Sequence, residues 1–540
     1  MGSVPEMLHL AAGCVLVLAA WLVPRHVARA RRAALHVLLL DAAPVVLGAG
    51  LLTHAAGRPV FAGVIALALG AGFALTDYTM RQTLREPAVF SESVELPQVF
   101  THPHLYLPFA GPGLVLGGAA AAVALALALL IFEPPLWTPQ PLATLAIAAL
   151  IAAGFWLFAH EPLLAAAADV LRRLRPSGEP VEDAAALGPF ATLVAHTVIA
   201  RAERPARQAA LAVVTEEAGV SGLAATRRSG MTSSEPTSVI LVQCESFFDA
   251  RRLSPAIPCG FLSGFDACRD NGVSGRLHVP GWGANTMRTE FAVLTGIPES
   301  ALGYDRFNPY YGLARVPIES QVWRLRRAGY RTICLHPFDR RFFRRDLAMP
   351  ALGFERFVGH EILGGARRPP YQSDPELAGH ILRTLDSEGP RTFIFAITMG
   401  NHGPWLWDGT EVDPAVTGLF DPGAIPGGAE LMRYLNGLRR SDEMLQMLLD
   451  RLERRGRPAV LGFYGDHLPS LGSAFAHFGF NAASSDYAVW WPDGAPQRRD
   501  IESYELGRII VDGVLGPAVA LPVAARGACL ARTTPAISPR

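Results

Sequence analysis

The sequence contains no lysine, so every one of its 48 basic side chains is an arginine, and 48 acidic side chains balance them. The resulting formal net charge of zero gives no electrostatic support for binding to nucleic acid. The six cysteines are scattered without a CxxC pair, which leaves no zinc motif. Cys259 and Cys268 are close enough in sequence to form a disulfide if they face an oxidising compartment.

Charged residues are also few. They make up 18% of the chain, whereas 50% of it is hydrophobic. Long apolar runs recur in the N-terminal third, and each approaches or reaches the ~20 residues with which a helix crosses the hydrocarbon core. The runs are residues 7–23, 33–52, 60–75, 113–132 and 142–158. A single cleaved signal peptide cannot account for them, so the sequence predicts five transmembrane helices.

Two ionisable residues, His36 and Asp41, lie within the second apolar run. A charge inside the membrane is a functional candidate by default. The alternative, which the sequence leaves equally open, is that both residues lie near helix ends or face other helices.

Residues 161–236 are predicted to connect the membrane region to a globular domain. Within them, residues 187–202 have apolar side chains spaced for a helix that lies on the bilayer or packs against the domain. Residues 222–236 are rich in serine, threonine and arginine, which is typical of a linker.

From residue 237 onward, short apolar runs alternate with helical stretches. Strands are predicted at 238–243, 331–335, 392–398, 459–464 and 486–491, and helices at 320–328, 375–385, 429–455 and 503–515. This alternation predicts a mostly parallel sheet with helices on both faces.

Polar residues follow four of these strands at the point where each strand ends. Glu245 follows the first strand, and Asp466 and His467 follow the strand at 459–464. His336 and His402 follow two others. Glu245 alone could cap a helix, and a lone histidine could be structural. Carboxylates and an imidazole together at the carboxyl ends of strands suit a divalent transition metal, so we interpret Glu245, Asp466 and His467 as metal ligands.

A metal site of this kind also needs a nucleophile, and residues 281–291 form a glycine-bearing loop that leads into a helix. Thr286 would lie near the helix N-terminus, where free N–H groups favour anionic chemistry. A metal on its oxygen would lower the pKa of the hydroxyl. The structural alternative is that Thr286 only caps the helix, and Thr289 and Ser246 are weaker candidates for the nucleophile.

Five short motifs occur in the globular part of the chain: ESF after the first strand, NTMRTEF, RFFRRD, MGNHGP and YGDHLPSLG. As a set they resemble the lipoteichoic acid synthase and phosphoglycerol transferase family, in the sulfatase-like branch of the alkaline phosphatase superfamily. The resemblance covers nearly all of the chain. It implies a transmembrane domain of five helices at 1–160, a juxtamembrane connector and linker at 161–236, and an α/β sulfatase-like catalytic domain with a mostly parallel sheet at 237–540.

The resemblance also implies a role for each matching residue. Glu245, Thr286, Asp466 and His467 would bind a manganese ion or another divalent metal, and Thr286 would also be the nucleophile. Arg345 and His402 match the catalytic positions that hold the phosphoglycerol group, and His336 and Phe343 match residues that line the same pocket. The family's Gram-positive members commonly have Lys-Thr-Ser where this chain has Asn285-Thr286-Met287.

The implied reaction is a double displacement with phosphatidylglycerol as the donor. The Thr286 oxygen attacks the phosphorus, diacylglycerol leaves, and glycerophosphate stays on the enzyme until an acceptor hydroxyl or water removes it. The acceptor is a surface or periplasmic glycan or a polyglycerolphosphate chain. A true sulfatase needs a C/S-x-P-x-R motif, which the Thr286 loop lacks. A phosphoethanolamine transferase or another sulfatase-like phosphodiester or sulfate ester hydrolase is the alternative, and an inactive scaffold would be expected to have lost part of the metal set.

Charge and function disagree about the orientation of the chain in the membrane. The resemblance implies a multi-pass protein of the inner (cytoplasmic) membrane with its catalytic domain in the periplasm. Arg25, Arg29, Arg31 and Arg32 follow the first apolar run, and the positive-inside rule would place that loop in the cytoplasm. Five spans would then leave the catalytic domain in the cytoplasm too. Because the acceptors lie outside, we expect an extracytoplasmic domain.

Overall fold

The computed structural model describes residues 4–138, 141–157, 160–212, 237–314, 316–364, 371–406 and 411–517. The chain separates into two compact units, Met1–Pro205 and Ala206–Arg540. The predicted linker at 222–236 lies outside the described residues, and the predicted domain boundaries at residues 160 and 237 stay predictions.

The first unit is helical. Its helices are α1 (Val4–Val27), α2 (Leu35–Ala56), α3 (Pro59–Thr83), α4 (Leu96–Thr101), α5 (Leu107–Ala110), α6 (Pro112–Phe132), α7 (Pro141–Leu157), α8 (Glu161–Arg172), α9 (Pro180–Leu187) and α10 (Pro189–Leu211). Helices α1, α2, α3 and α6 are long and apolar enough to cross a membrane. Their apolar stretches are at most 33% buried within the protein, as expected for helices that face lipid.

The number of membrane-spanning helices corrects the sequence prediction. The apolar run at 142–158 forms α7, which has 17 residues. The other four apolar helices have 21 to 25 residues, and residues 139–140 and 158–159 on either side of α7 lie outside the described part of the chain. The five predicted spans therefore become four among the residues that the structure describes. The correction changes parity, because an even number of crossings returns the chain to the side on which it began.

Asp41 is fully buried in the first unit and is surrounded by donors. Trp21 Nε1 donates to its carboxylate at 2.8 Å and Arg25 Nη1 at 2.6 Å. The backbone N–H of Ala191, in the first turn of α10, donates at 2.9 Å. Because such N–H groups have no partner within their own helix, Asp41 caps α10 and ties it to α1 and α2. The structural alternative for Asp41 is favoured, and His36 is exposed at the start of α2.

The second unit is built on a nine-stranded sheet. Its strands are β1 (Ser238–Cys244), β2 (Gly272–His278), β3 (Arg331–Leu335), β4 (Arg356–Val358), β5 (Thr392–Ile397), β6 (Ala459–Gly465), β7 (Ser484–Trp490), β8 (Gln497–Arg498) and β9 (Ile501–Glu502). The order is β4-β3-β5-β1-β6-β7-β2-β8, with β9 paired to β2. The first five strands in this order are parallel, and β7 is antiparallel to both of its neighbours.

Helices cover both faces of this sheet. They are α11 (Ser263–Asp270), α12 (Thr286–Thr295), α13 (Pro309–Gly312), α14 (Gln321–Arg327), α15 (Arg345–Ala351), α16 (His360–Leu363), α17 (Asp374–Ser387), α18 (Pro414–Thr417), α19 (Gly428–Arg454), α20 (Gly472–His477) and α21 (Ser503–Leu515). Alternate residues of β1 enter different cores: Ile240 and Val242 pack with α17 and α19, whereas Val239 and Leu241 pack with α12 and α21. Because successive side chains of a strand point to opposite faces, a fully buried central strand needs cover on both.

The five predicted strands and four predicted helices are confirmed, with ends that differ by at most two residues. Strand β2 was missed because its sequence, GVSGRLH, has only two apolar residues, of which only Val273 is β-branched, and contains two glycines. Cys259 and Cys268 are both free, so they do not form a disulfide.

Candidate metal centre

Four adjacent parallel strands, β3, β5, β1 and β6, end at one edge of the sheet. Glu245 follows β1, and Asp466 and His467 follow β6. The two strands are hydrogen-bonded neighbours, with Cys244 aligned to Gly465. The register of the sheet thus sets the first residues beyond each strand beside one another, as expected for the ligand-binding edge of an open α/β sheet.

Glu245, Asp466 and His467 form one group whose ligand atoms all lie within 4.8 Å of one another. Nε2 of His467 is 3.4 Å from Oε1 of Glu245 and 3.4 Å from Oδ2 of Asp466. All three side chains are buried. The structure therefore brings together the residues that the sequence analysis interpreted as metal ligands.

Neighbouring groups fix the orientation of these side chains. The backbone N–H groups of Ser246 and His467 each donate to Oδ1 of Asp466 at 2.9 Å. The Ser246 hydroxyl donates to Oε1 of Glu245 at 2.8 Å. Nδ1 of His467 lies 3.0 Å from the carbonyl of Leu468. Because a carbonyl only accepts, Nδ1 carries a proton, and Nε2 is the nitrogen that faces the two carboxylates.

The charge of this group is unbalanced. Oδ2 of Asp466 accepts no hydrogen bond from any residue that the structure describes. Burial and, after it, the Glu245 carboxylate raise the pKa of Asp466 above its usual range, because the charged form loses its solvation and a second negative charge repels it. A bound cation would remove this repulsion and occupy the free oxygen. Two carboxylates and an imidazole in this arrangement fit a divalent transition metal.

Thr286 is the first residue of α12 and lies beside this group. Only 8% of it is exposed, and its hydroxyl is close enough to the Asp466 carboxyl to stabilise the charged form. The N-cap of α12 is Asn285 rather than Thr286, so the capping alternative for Thr286 does not apply. Unpaired N–H groups and the helix dipole favour negative charge at this position. Oγ1 of Thr286 is therefore well placed to act as a nucleophile.

The two weaker candidates for the nucleophile have hydroxyl groups that are already engaged. Thr289 donates from Oγ1 to the backbone carbonyl of Asp466 at 2.6 Å. Ser246 donates to Glu245. Both hydroxyl groups therefore donate to residues of the candidate metal-binding group.

Backbone strain is concentrated around the candidate site. Among the described residues of the second unit, the non-glycine residues with positive φ are Ser246, Asn285, Phe343, Arg344 and Trp405. Each lies within three residues of Glu245, Thr286, Arg345 or His402. Such conformations cost about 1–3 kcal/mol each and persist only where the surrounding structure enforces them. Asparagine tolerates this region better than lysine, which gives a physical reason for Asn285 at the position before Thr286.

Arg345, at the start of α15, is held by Glu290 of α12. Its Nε donates to Oε1 at 3.0 Å and its Nη2 to Oε2 at 2.9 Å, and both side chains are buried. Nη1 lies 3.4 Å from Nε2 of His336. A guanidinium has five N–H donors, and Glu290 and His336 engage three of them.

The sequence analysis did not identify the residues that hold Glu290. Gln243 donates from Nε2 to Oε2 of Glu290 at 2.9 Å, and the Tyr310 hydroxyl donates to Oε1 at 2.7 Å. The Tyr464 hydroxyl donates to Oε1 of Gln243. The available signal was that Glu290 belongs to the NTMRTEF motif and that Gln243 is a polar residue in an otherwise apolar strand.

His336 supports Arg345 and is itself fully engaged. Its Nδ1 lies 3.2 Å from the carbonyl of Ile397, so Nδ1 carries the proton and Nε2 accepts from Arg345. Burial and then the positive charge of Arg345 lower the pKa of His336, which keeps the ring neutral. The geometry makes His336 a positioning residue.

Phe343 lies beside Arg345, and His402 lies beside Tyr371. The Arg345 guanidinium lies 5.2 Å from the centre of the Phe343 ring. Nδ1 of His402 is 2.7 Å from the carbonyl of Gly403 and therefore carries the proton. Nε2 of His402 is then the nitrogen that can exchange a proton with a bound molecule.

A sulfatase family model matches residues 239–507. The capsular polysaccharide biosynthesis protein RkpI of Rhizobium meliloti (strain 1021) is 31% identical over 433 residues, which cover 77% of this chain and 74% of that protein. A putative cyclic beta-1,2-glucan modification protein of the same organism is 30% identical over 262 residues, which cover 46% of this chain and 38% of that protein.

One solved structure is similar over both units. The integral membrane lipooligosaccharide phosphoethanolamine transferase A from Neisseria meningitidis aligns with a TM-score of 0.54 and 15% identity. The alignment covers 94% of this chain and 95% of that one. At this identity the likeness concerns the fold.

Loss of a metal ligand is the first test of the site. We expect Asp466→Asn and His467→Ala to weaken divalent-metal binding by the purified full chain about 100-fold or more. Mutation of a residue that only hydrogen-bonds to a metal ligand typically lowers metal affinity about 10- to 100-fold, and loss of the ligand itself should cost at least as much. Metal titration and elemental analysis measure this. Asp442→Asn is the control, since Asp442 is also buried but accepts from the backbone N–H groups of Gly264 and Phe265. Undiminished metal in both site variants would refute the assignment.

The second test concerns the buried pair of Arg345 and Glu290. Glu290→Gln should lower the free energy of unfolding by about 3 kcal/mol or more, because it leaves a buried arginine without its counter-charge. Glu319→Gln breaks a bidentate pair with Arg327 at the surface and should cost no more than about 1 kcal/mol. Denaturant unfolding of both variants compares the two costs. Equal losses would mean that the Glu290 pair is no more important than a surface pair.

Proposed function

Because the chain belongs to the sulfatase-like family of the alkaline phosphatase superfamily, we propose that it is a membrane-anchored, metal-dependent phosphoglycerol transferase. In this proposal it moves glycerophosphate from phosphatidylglycerol to a surface or periplasmic glycan. The observation that carries the proposal is the position of Thr286, whose hydroxyl lies at a helix N-terminus against the buried group of Glu245, Asp466 and His467.

Thr286 acts as the nucleophile. Its Oγ1 forms a bond to the phosphorus of phosphatidylglycerol while the bond from phosphorus to the diacylglycerol oxygen breaks. The hydroxyl proton ends on the departing diacylglycerol, and glycerophosphate stays on Thr286 as a phosphodiester. An acceptor hydroxyl then attacks the same phosphorus and restores the Thr286 hydroxyl.

The cation, Arg345 and His402 would each have a separate role in the reaction. A manganese ion held by Glu245, Thr286, Asp466 and His467 would lower the pKa of a hydroxyl bound to it and neutralise charge on the phosphate. Arg345, fixed by Glu290 and His336, offers its two remaining N–H donors to the non-bridging oxygens. His402 exchanges a proton with the leaving or entering oxygen through Nε2.

The relatives favour a glycan as the acceptor. The names of both Rhizobium meliloti proteins refer to polysaccharide or glucan, and the match to the first of them covers 77% of this chain. A glycan hydroxyl is chemically equivalent to the glycerol hydroxyl that would extend a polyglycerolphosphate chain. We therefore propose a glycan acceptor and treat polymerisation as the alternative to be tested.

Removal of the Thr286 hydroxyl tests the mechanism. Thr286→Ala should lower diacylglycerol release from phosphatidylglycerol by about a thousandfold or more, because a nucleophile has no substitute. The measurement uses the full chain in detergent micelles with added manganese. Thr295→Ala, in the same helix, removes a hydroxyl that donates to the carbonyl of Phe291 and accepts from the N–H of Ile297, and it should leave turnover unchanged. Mass spectrometry of the wild type should detect glycerophosphate on Thr286.

Retained turnover in folded Thr286→Ala protein would reject this nucleophile. A parallel assay with phosphatidylethanolamine distinguishes the donors: faster release of diacylglycerol from that lipid would replace phosphoglycerol with phosphoethanolamine as the transferred group.

We also propose that the second unit is extracytoplasmic. With α1, α2, α3 and α6 as the crossings, a cytoplasmic loop between α1 and α2 leaves the chain after α6 outside. The arginines Arg29, Arg31 and Arg32 in that loop then obey the positive-inside rule. In this proposal α7 does not cross, and charge and function no longer conflict.

Fusions test this topology in the inner membrane of a bacterial host. Alkaline phosphatase fused after Arg540 should be active, and a fluorescent protein that matures only in the cytoplasm should be dark there. Truncated fusions after Arg32 should give the reverse pattern, because that loop is cytoplasmic. A bright fluorescent fusion and an inactive phosphatase after Arg540 would place the second unit inside and remove surface glycans as acceptors.

A further inference from the structure

Tyr371 lies against the candidate site, although none of the sequence motifs contains it. The centre of its ring is 5.8 Å from that of His402, at an interplanar angle of 70°, and 6.0 Å from that of Phe338. Phe338 in turn contacts His336, which supports Arg345. The ring of Tyr371 thus packs between the two segments that carry the proposed substrate-binding residues.

The hydroxyl of Tyr371 is buried but has no hydrogen-bond partner among the residues that the structure describes. Burial and then the nearby Glu245 carboxylate raise the pKa of Tyr371, so the hydroxyl keeps its proton and remains a donor. A buried donor without an acceptor destabilises a folded protein and is rare without a reason.

Five buried tyrosines of the second unit do not share this feature. Their hydroxyl groups donate to protein oxygens: Tyr310 to Glu290, Tyr330 to Thr237, Tyr434 to Ser246, Tyr464 to Gln243 and Tyr487 to Arg499. Tyr371 differs from these five in that its hydroxyl has no acceptor among the described residues, and a bound ligand could supply one.

We propose that the Tyr371 hydroxyl donates a hydrogen bond to a non-bridging phosphate oxygen of the donor lipid. This inference rests on the proposed function of the same site and adds a substrate-contacting residue to it. A phosphodiester oxygen is a strong acceptor, and a neutral phenol can approach it beside Glu245 without adding negative charge. No proton is transferred, and the ring of Tyr371 fixes the direction of the donor.

Tyr371→Phe tests the contact because it removes the hydroxyl and keeps the ring. We expect kcat/KM for phosphatidylglycerol to fall about 10- to 100-fold, the range for a hydrogen bond to a charged group. The Kd of the metal-loaded full chain for sn-glycerol 1-phosphate, measured by calorimetry, should rise by a similar factor. The melting temperature should stay the same or increase, since an unpaired buried donor is lost.

Tyr330→Phe is the matched control. It removes a hydroxyl that donates to the carbonyl of Thr237 at 2.9 Å, so it should lower the melting temperature and leave kcat/KM unchanged. If Tyr371→Phe behaves in the same way, Tyr371 is structural and the proposal is wrong. The proposal would also be wrong if Tyr371→Phe raised only the KM for the glycan acceptor and left unchanged the rate at which phosphatidylglycerol is hydrolysed with water as the acceptor.

Failure of the proposed function and failure of the Tyr371 contact give different results. If the wild type releases no diacylglycerol from phosphatidylglycerol, the proposed function fails. The Kd values of the wild type and of Tyr371→Phe for sn-glycerol 1-phosphate then decide by themselves whether Tyr371 contacts the phosphate.

Discussion

The repulsion between two buried carboxylates, Glu245 and Asp466, which lie beside the imidazole of His467, governs the site. Glu245 and Asp466 lose most of their solvation, and Oδ2 of Asp466 receives no hydrogen bond from the described residues. The fold opposes the repulsion with backbone donors at Ser246 and His467. A divalent cation is the simplest way to complete the balance, and it would also prepare a phosphate site next to Thr286.

A second group of charged residues, Arg345 and Glu290, forms an ion pair whose charges balance without a ligand. Glu290 joins α12 to Arg345, and Gln243 joins the same carboxylate to β1. Strand β1 therefore supports both charged groups: Gln243, within the strand, holds Glu290, and Glu245, directly after the strand, belongs to the candidate metal-binding group. This arrangement explains how Arg345 can be fully buried and still keep donors for a substrate. It also explains why strained backbone at Phe343 and Arg344 is tolerated immediately before it.

The membrane unit uses a buried charge differently. Asp41 is satisfied by Trp21, Arg25 and the first turn of α10, so it joins helices instead of serving a transported or reacting group. The reduction from five spans to four is likewise a matter of length. Hydropathy identified the apolar run of α7, but its 17 described residues are fewer than the 21 to 25 of the four helices that are long enough to cross.

The sequence by itself determined the strands and the polar residues that follow them, including the group of Glu245, Asp466 and His467. Buried parallel strands are short apolar runs, and whatever follows them must meet at one edge of the sheet, so Glu245, Asp466 and His467 could be predicted. Only the tertiary structure decided that Glu290 holds Arg345, 55 residues away along the chain, and that Tyr371 faces His402. These contacts depend on how loops and helices pack over the sheet, and no periodicity of the sequence records that packing.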